Sequence, residues 1–170
     1  MRTIPWVISY VILGAGLALG QQPTFHDQLL DKMTGDWVLQ GTIASKATTH
    51  DVAVEWVLGH QYVRLHEVSR EKNSQGQPAY EAMVFIGWNQ ASSEYVCTWL
   101  DTYGGMADAT IAHAKRTGDE IHFIFKDKDK DSTFHTRFIY HPDAANWEWR
   151  MDSEDKGALK PFARVTLTRK

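Results

Sequence analysis

The sequence predicts an all-β protein, a closed up-and-down antiparallel β-barrel of about ten strands with one short N-terminal helix. Three observations lead there. Short runs rich in β-branched and aromatic residues recur roughly every ten residues between Gly-, Asn-, Asp- and Pro-containing turns, which is sandwich or barrel spacing rather than α/β spacing. Successive runs follow one another without a long crossover, which favours a meander. A meander of that many strands leaves exposed edges unless it closes on itself.

Residues 1–20 read as a signal peptide: Arg2 gives a positive start, residues 4–19 are almost wholly apolar, and Ala18-Leu19-Gly20 precede a cut ahead of Gln21. An uncleaved anchor is the alternative. The only cysteine is Cys97, so no lipidated cysteine follows the cut. Residues 21–34 are a lead-in and a helix. Phe25, Leu29, Leu30 and Met33 have helical spacing, Thr24 is placed to cap the helix, and Gly35 to end it.

Residues 35–170 then form a single barrel domain. The predicted strands are 37–44, 51–58, 61–71, 80–88, 94–102, 107–115, 120–126, 133–141, 146–151 and 162–168. The 80–88 and 94–102 pair is the clearest hairpin. Setting Trp88 opposite Tyr95 puts Val84 opposite Trp99 and Ala82 opposite Asp101, so Tyr80, Trp88, Trp99 and Asp101 share a face.

Composition narrows the function classes. Losing Arg2 with the leader takes the net charge from −3 to −4, which argues against a nucleic-acid partner. A lone cysteine forms no internal disulfide, so stability rests on apolar burial, to which the tryptophans contribute large areas. No membrane span is expected once the leader is cut. The oligomeric state is not readable from the sequence.

Gly35-Asp36-Trp37 after a short helix resembles the Gly-x-Trp opening of the calycin barrels, the lipocalins and fatty-acid-binding proteins. Arg169 at the end of the last strand is similar to the basic residue that packs over that tryptophan in those folds. Gly59-His60-Gln61-Tyr62-Val63, Ile86-Gly87-Trp88-Asn89, the run from Tyr95 to Asp101 and the Val165-to-Lys170 ending resemble a family of secreted bacterial barrels of unknown function. Gly87-Trp88-Asn89 departs from that family's usual Gly-Tyr-Asp turn. The resemblance implies a barrel that Trp37 and Arg169 close, in a periplasmic or extracellular protein, and no activity.

Candidate sites follow from the faces. Carrying the hairpin parity back to 61–71 places Tyr62, Arg64 and His66 beside Tyr80, Trp88, Trp99 and Asp101. An inward-facing set of this kind would bind a small apolar or amphipathic ligand, with Arg64 gripping an anionic head. The opposite parity, with Val63, Leu65, Met83, Phe85, Val96 and Leu100 inside, stays open. His113, His122 and His135 fall on one face with Lys115, Lys126 and Arg137, which reads as a solvated outer face and not a metal site. His66 is the candidate for haem ligation as in nitrobindin-type barrels, and His66 with Asp101 for acid–base catalysis.

The charged stretch 127–131 imitates an EF-hand opening but lacks its glycine and its last glutamate. No nucleophile elbow or phosphate loop is present, and Cys97 reads as a buried inert thiol. The expectation is therefore a ligand-binding exported barrel without cofactor. The alternatives are a filled barrel acting as an envelope interaction module, and a lumenal enzyme using His66 and Asp101.

Overall fold

In the computed structural model, residues 25–104, 111–126 and 132–170 are described. The leader, Thr24, part of the sixth predicted strand and the charged stretch 127–131 lie outside them. The helix is α1, Gln28–Met33. The strands are β1 (Gly35–Ile43), β2 (Lys46–Val57), β3 (Tyr62–Ser69), β4 (Glu81–Asn89), β5 (Glu94–Asp101), β6 (Ile111–Ala114), β7 (Arg116–Thr117), β8 (Glu120–Lys126), β9 (Ser132–His141), β10 (Asn146–Asp155) and β11 (Ala158–Arg169).

Neighbouring strands pair antiparallel in chain order, β11 pairs with β1, and β6 meets β8 through His113 and Ile124. The sheet therefore closes. Ten strands form the barrel, and β7 is a two-residue ladder with the start of β8 outside it. Closure satisfies both edges, which an open meander would leave as unpaired N–H and C=O groups.

Side-chain alternation then sets the core. Trp37 and Leu39, Val52 and Val54, Val63 and Leu65, Val84 and Ile86, Ile121 and Phe123, Trp147 and Trp149, Val165 and Leu167 point inward and are buried. The β4–β5 register is the expected one, with Trp88 opposite Tyr95 and Val84 opposite Trp99.

Helix α1 closes one end of this wall. Its cap is Asp27, not Thr24, and it is shorter than the apolar spacing suggested. The Asp27 carboxylate accepts from the N–H groups of Leu29 and Leu30 at 2.8 and 2.9 Å. Its other oxygen accepts from the Tyr95 hydroxyl on β5. Phe25 stacks on Trp88 at 5.6 Å and meets Trp56 and Tyr95 edge-on.

The helix's last carbonyls, orphaned by the helix end, are taken up by the barrel. Trp37 Nε1 donates to Met33 at 2.8 Å, and the Arg169 guanidinium donates to Lys32 and Thr34. Arg169 Cζ also lies 4.3 Å from the Trp37 ring centre. Gly35, at φ +120°, makes that approach possible: a Cβ there would lie 2.4 Å from Arg169 Nη1.

Above the helix the barrel is filled by aromatic rings. Trp149 contacts Phe138 at 4.7 Å and Trp99 at 5.3 Å, and donates its Nε1–H to Thr136 at 2.6 Å. Beyond Trp99 the side chains line the wall without filling the lumen, and that half is open.

Candidate functional site

The open half is a cavity of about 790 Å³. Its wall is made by the ends of β2, β3 and β5 and the segment leading into β4 on one side, and by the ends of β8, β9, β10 and β11 on the other. The two sides differ chemically. Phe125, Phe134, Met151 and Phe162, with Ile43 of β1, give an apolar arc. Thr48, His50, Glu67, Ser69, Glu71, Tyr80 and Asp101 give a polar one.

A β-bulge shapes the apolar arc. Met151 pairs with Ala163 but Asp152 pairs with Pro161, so Phe162 is the extra residue. Strict alternation would turn Phe162 away from a wall that Ala163 faces. The bulge re-aims it, and it meets Phe134 edge-on at 5.4 Å at the cavity mouth.

The polar arc rests on two buried titratable residues. His50 is 4% and Glu67 1% exposed. They face the lumen because Val52 and Val54, and Val63 and Leu65, carry the same parity further down β2 and β3. His50 Nδ1 lies 2.5 Å from Glu67 Oε1. An ionised carboxylate only accepts, so the network assigns the Nδ1 proton toward Glu67. Glu67 Oε2 has no hydrogen-bond partner among the described residues.

On its other side His50 Nε2 lies 2.7 Å from Thr48 Oγ1. Thr48 and Ser69 donate to Glu71 Oε2, both at 3.0 Å. Desolvation would raise the Glu71 carboxyl, but these hydrogen bonds outweigh it and hold the group below its ordinary range. Tyr80 stacks on His50 at 5.9 Å, accepts from Trp99 Nε1 at 3.2 Å and donates to Asp101 at 3.4 Å. Burial, then the charge of Glu67, pushes its phenol well above the usual value, so it stays a neutral donor.

Thr48, His50 and Glu67 stand in the order of an activated nucleophile, hydroxyl to imidazole to carboxylate, but the single Thr48 proton is given to Glu71 and not to His50. The electrostatics run the other way. An oxyanion needs preorganised donors around it, whereas here Glu71 accepts from the hydroxyl and Glu67 and Asp101 line the same arc. Lys46, exposed at the rim, is the only lysine or arginine among the described residues lining the cavity. This arrangement favours a hydrogen-bond donor or a positive charge.

The residues expected from sequence divide three ways. Tyr80, Trp99 and Asp101 line the cavity. Trp88 shares their parity but sits at the closed end, stacked on Phe25. Tyr62, Arg64 and His66 lie on the outer face, because Leu65 and not Arg64 shares parity with Val84. The parity carried back from the hairpin is thus corrected: Arg64 pairs with Glu55 on β2, and His66 Nε2 lies 2.7 Å from Glu81. His66 therefore shares no lumen with Asp101, and a lumenal haem ligand at His66 is excluded by the same pairing.

The opposite parity fails as well. Val63 and Leu65 are inside, but Leu100 is half exposed and Met83, Phe85 and Val96 alternate outward with it. His122 and His135 lie outside the barrel as expected, yet His135 is covered, bonded to His122 at 2.9 Å and to Glu154 at 3.0 Å. Cys97 is fully buried, and burial pushes its thiol up, away from reactivity.

His50 and Glu67 were missed. The available signal was an alternation in two adjacent strands that ends in titratable residues at the same end of the barrel. No protein-family model matches the chain, and no curated protein matches it either. Among the described residues, no helix is long and apolar enough to cross a membrane.

Proposed function

We propose that this protein binds a small amphipathic molecule in the open half of the barrel, with an apolar body against Phe125, Phe134, Met151 and Phe162 and a protonated amine facing Glu67. The observation that carries this reading is the two-sided cavity of about 790 Å³, inside the range of about 300–1,000 Å³ common for ligand sites. Burying a carboxylate oxygen without a partner costs about 1–3 kcal/mol or more, and an ammonium donor on Glu67 Oε2 would offset that cost. The head expected from sequence was an anion on Arg64. With Arg64 on the outer face, the acids of the cavity favour the opposite charge.

The protein is proposed to be exported and to act as a carrier of the calycin kind, related to the secreted barrels its motifs resemble. A packed interaction module would have no use for a cavity on this scale, so the carrier reading is preferred.

The test is native mass spectrometry of protein purified gently from its own host, before and after organic extraction. The expected result is a co-purified adduct of defined mass, removed by extraction, whose fragments contain a basic nitrogen. Protein free of adduct from several preparations, together with failure to take up any added amphiphile, would contradict the proposal.

A further inference from the structure

At the closed end of the barrel, away from the cavity, we infer that His26, Asp31 and His60 form a binding site for a divalent transition-metal ion of the zinc class. One ligand atom from each lies within 4.8 Å of the other two. His26 precedes the cap of α1, Asp31 stands on α1, and His60 is in the turn between β2 and β3. Two imidazoles and a carboxylate are a donor set that suits zinc, copper(II), nickel(II) and cobalt(II), with positions left for water.

The observation that separates this group from a chance surface cluster is at His60. Its Nε2 is buried and has no hydrogen-bond partner among the described residues. The residue is also held in the left-handed region, at φ +66°. A buried imidazole nitrogen without a partner is costly, and a metal ion would give it one.

Trp56 orders two of the three ligands. Its ring stacks on His60 with centroids 4.0 Å apart and planes at 19°. Its Nε1–H donates to Asp31 Oδ1 at 2.8 Å, leaving the second carboxylate oxygen for an ion. Metal ligands are commonly oriented in this way by a neighbouring group. His26 is exposed, and its ring centre is 4.8 Å from that of His60. Ligands on tetrahedral zinc are about 3.3 Å apart, given bonds of about 2.0–2.1 Å. The site must therefore tighten, and the exposed His26 side chain is free to supply that movement.

The ion would tie the helix that plugs the barrel to the β2–β3 turn, so binding should raise thermal stability as well as register directly. The test uses the chain without a histidine tag, titrated with Zn²⁺ by calorimetry and with Co²⁺ by visible absorption. The expected result is one ion per chain, a rise in Tm with Zn²⁺, and affinity at least tenfold weaker in His26→Gln and in His60→Gln. His122→Gln, on the far wall, should bind like the parent. Because His60→Gln could disturb the turn, the exposed His26→Gln decides if that variant does not fold. Absence of one-to-one binding, binding that survives both substitutions, or binding lost only in His122→Gln would each overturn the site.

Discussion

Glu67 is the residue on which the functional reading turns. Replacing it with Gln keeps its shape and an oxygen for the His50 Nδ1–H, while removing the charge. The expected effect, under the proposed function, is that affinity for a long-chain alkylammonium falls about tenfold, equivalent to about 1.4 kcal/mol, with affinity for the matching alcohol unchanged. Tryptophan fluorescence checks this, since Trp99 lines the cavity. Two glycines give a prediction about the frame at the same scale. A Cβ at Gly41 would lie 2.2 Å from the Arg164 carbonyl oxygen and 2.8 Å from Val165 Cα, both backbone atoms of the paired strand. At Gly35 it would meet only the movable end of Arg169. Both positions have positive φ, so both alanine variants lose about 1–3 kcal/mol to strain. Gly41→Ala should lose clearly more in urea denaturation, because β1 and β11 must part to admit it. Equal losses would show that the approach of those strands is looser than described.

At the scale of the element, α1 is six residues long and too short to persist alone. It is held by what it meets, through Asp27 on Tyr95 and through Trp37 and Arg169 on its last carbonyls. Asp27→Ala should destabilise the protein by about 1–2 kcal/mol from the lost cap alone, and by more because the Tyr95 hydroxyl loses its acceptor. An unchanged Tm would mean that the plug contributes nothing to the barrel. On the opposite wall, β8 and β9 carry the contact between His122 and His135. Burial, then the charge of Arg137, then His135, lowers the His122 pKa. A base whose folded pKa is lowered binds its proton more readily when unfolded. Its contribution to stability is therefore full above about pH 6.5 and is lost as pH falls below it. His122→Gln should flatten the fall in stability between pH 7 and pH 5, measured by denaturation at each pH. The acid limb below about pH 4 should persist. Asp51, held down by Arg70 and Lys170, and Glu148, held down by Arg150, are depressed carboxylates that lose their contribution there.

Strands were easier to read than the faces they present. The β4–β5 hairpin has a four-residue loop, and pairing aromatic with aromatic across it fixes parity. The connection from β3 to β4 is longer and irregular, with an isolated bridge between Lys72 and Pro78, and parity does not carry across it. Within β3 the pattern is blurred by the site itself. Val63 and Leu65 face in, and Glu67 and Ser69 follow on the same face where apolar residues would normally continue the alternation. The outward Val68 then makes the wrong face look apolar. Functional positions break the binary pattern that identifies a core, so the residues that make the polar arc are those that hid it. Phe162 was invisible for a related reason: a bulge changes parity without leaving a mark in the alternation of its own strand.

For the molecule as a whole, the barrel is packed from α1 up to Trp99 and Trp149 and open beyond them. This division separates a rigid, plugged half that supplies stability from a half whose wall carries buried acid on one side and aromatic rings on the other. The most direct test compares dodecylammonium, dodecanol and dodecanoate, each titrated into the protein against tryptophan fluorescence at low salt. The account predicts saturable one-to-one binding in the order ammonium, then alcohol, then carboxylate, with the ammonium preference lost in Glu67→Gln. Equal affinities, or a preference for the carboxylate, would contradict the proposed acid pole. No binding of any of the three would contradict the carrier itself.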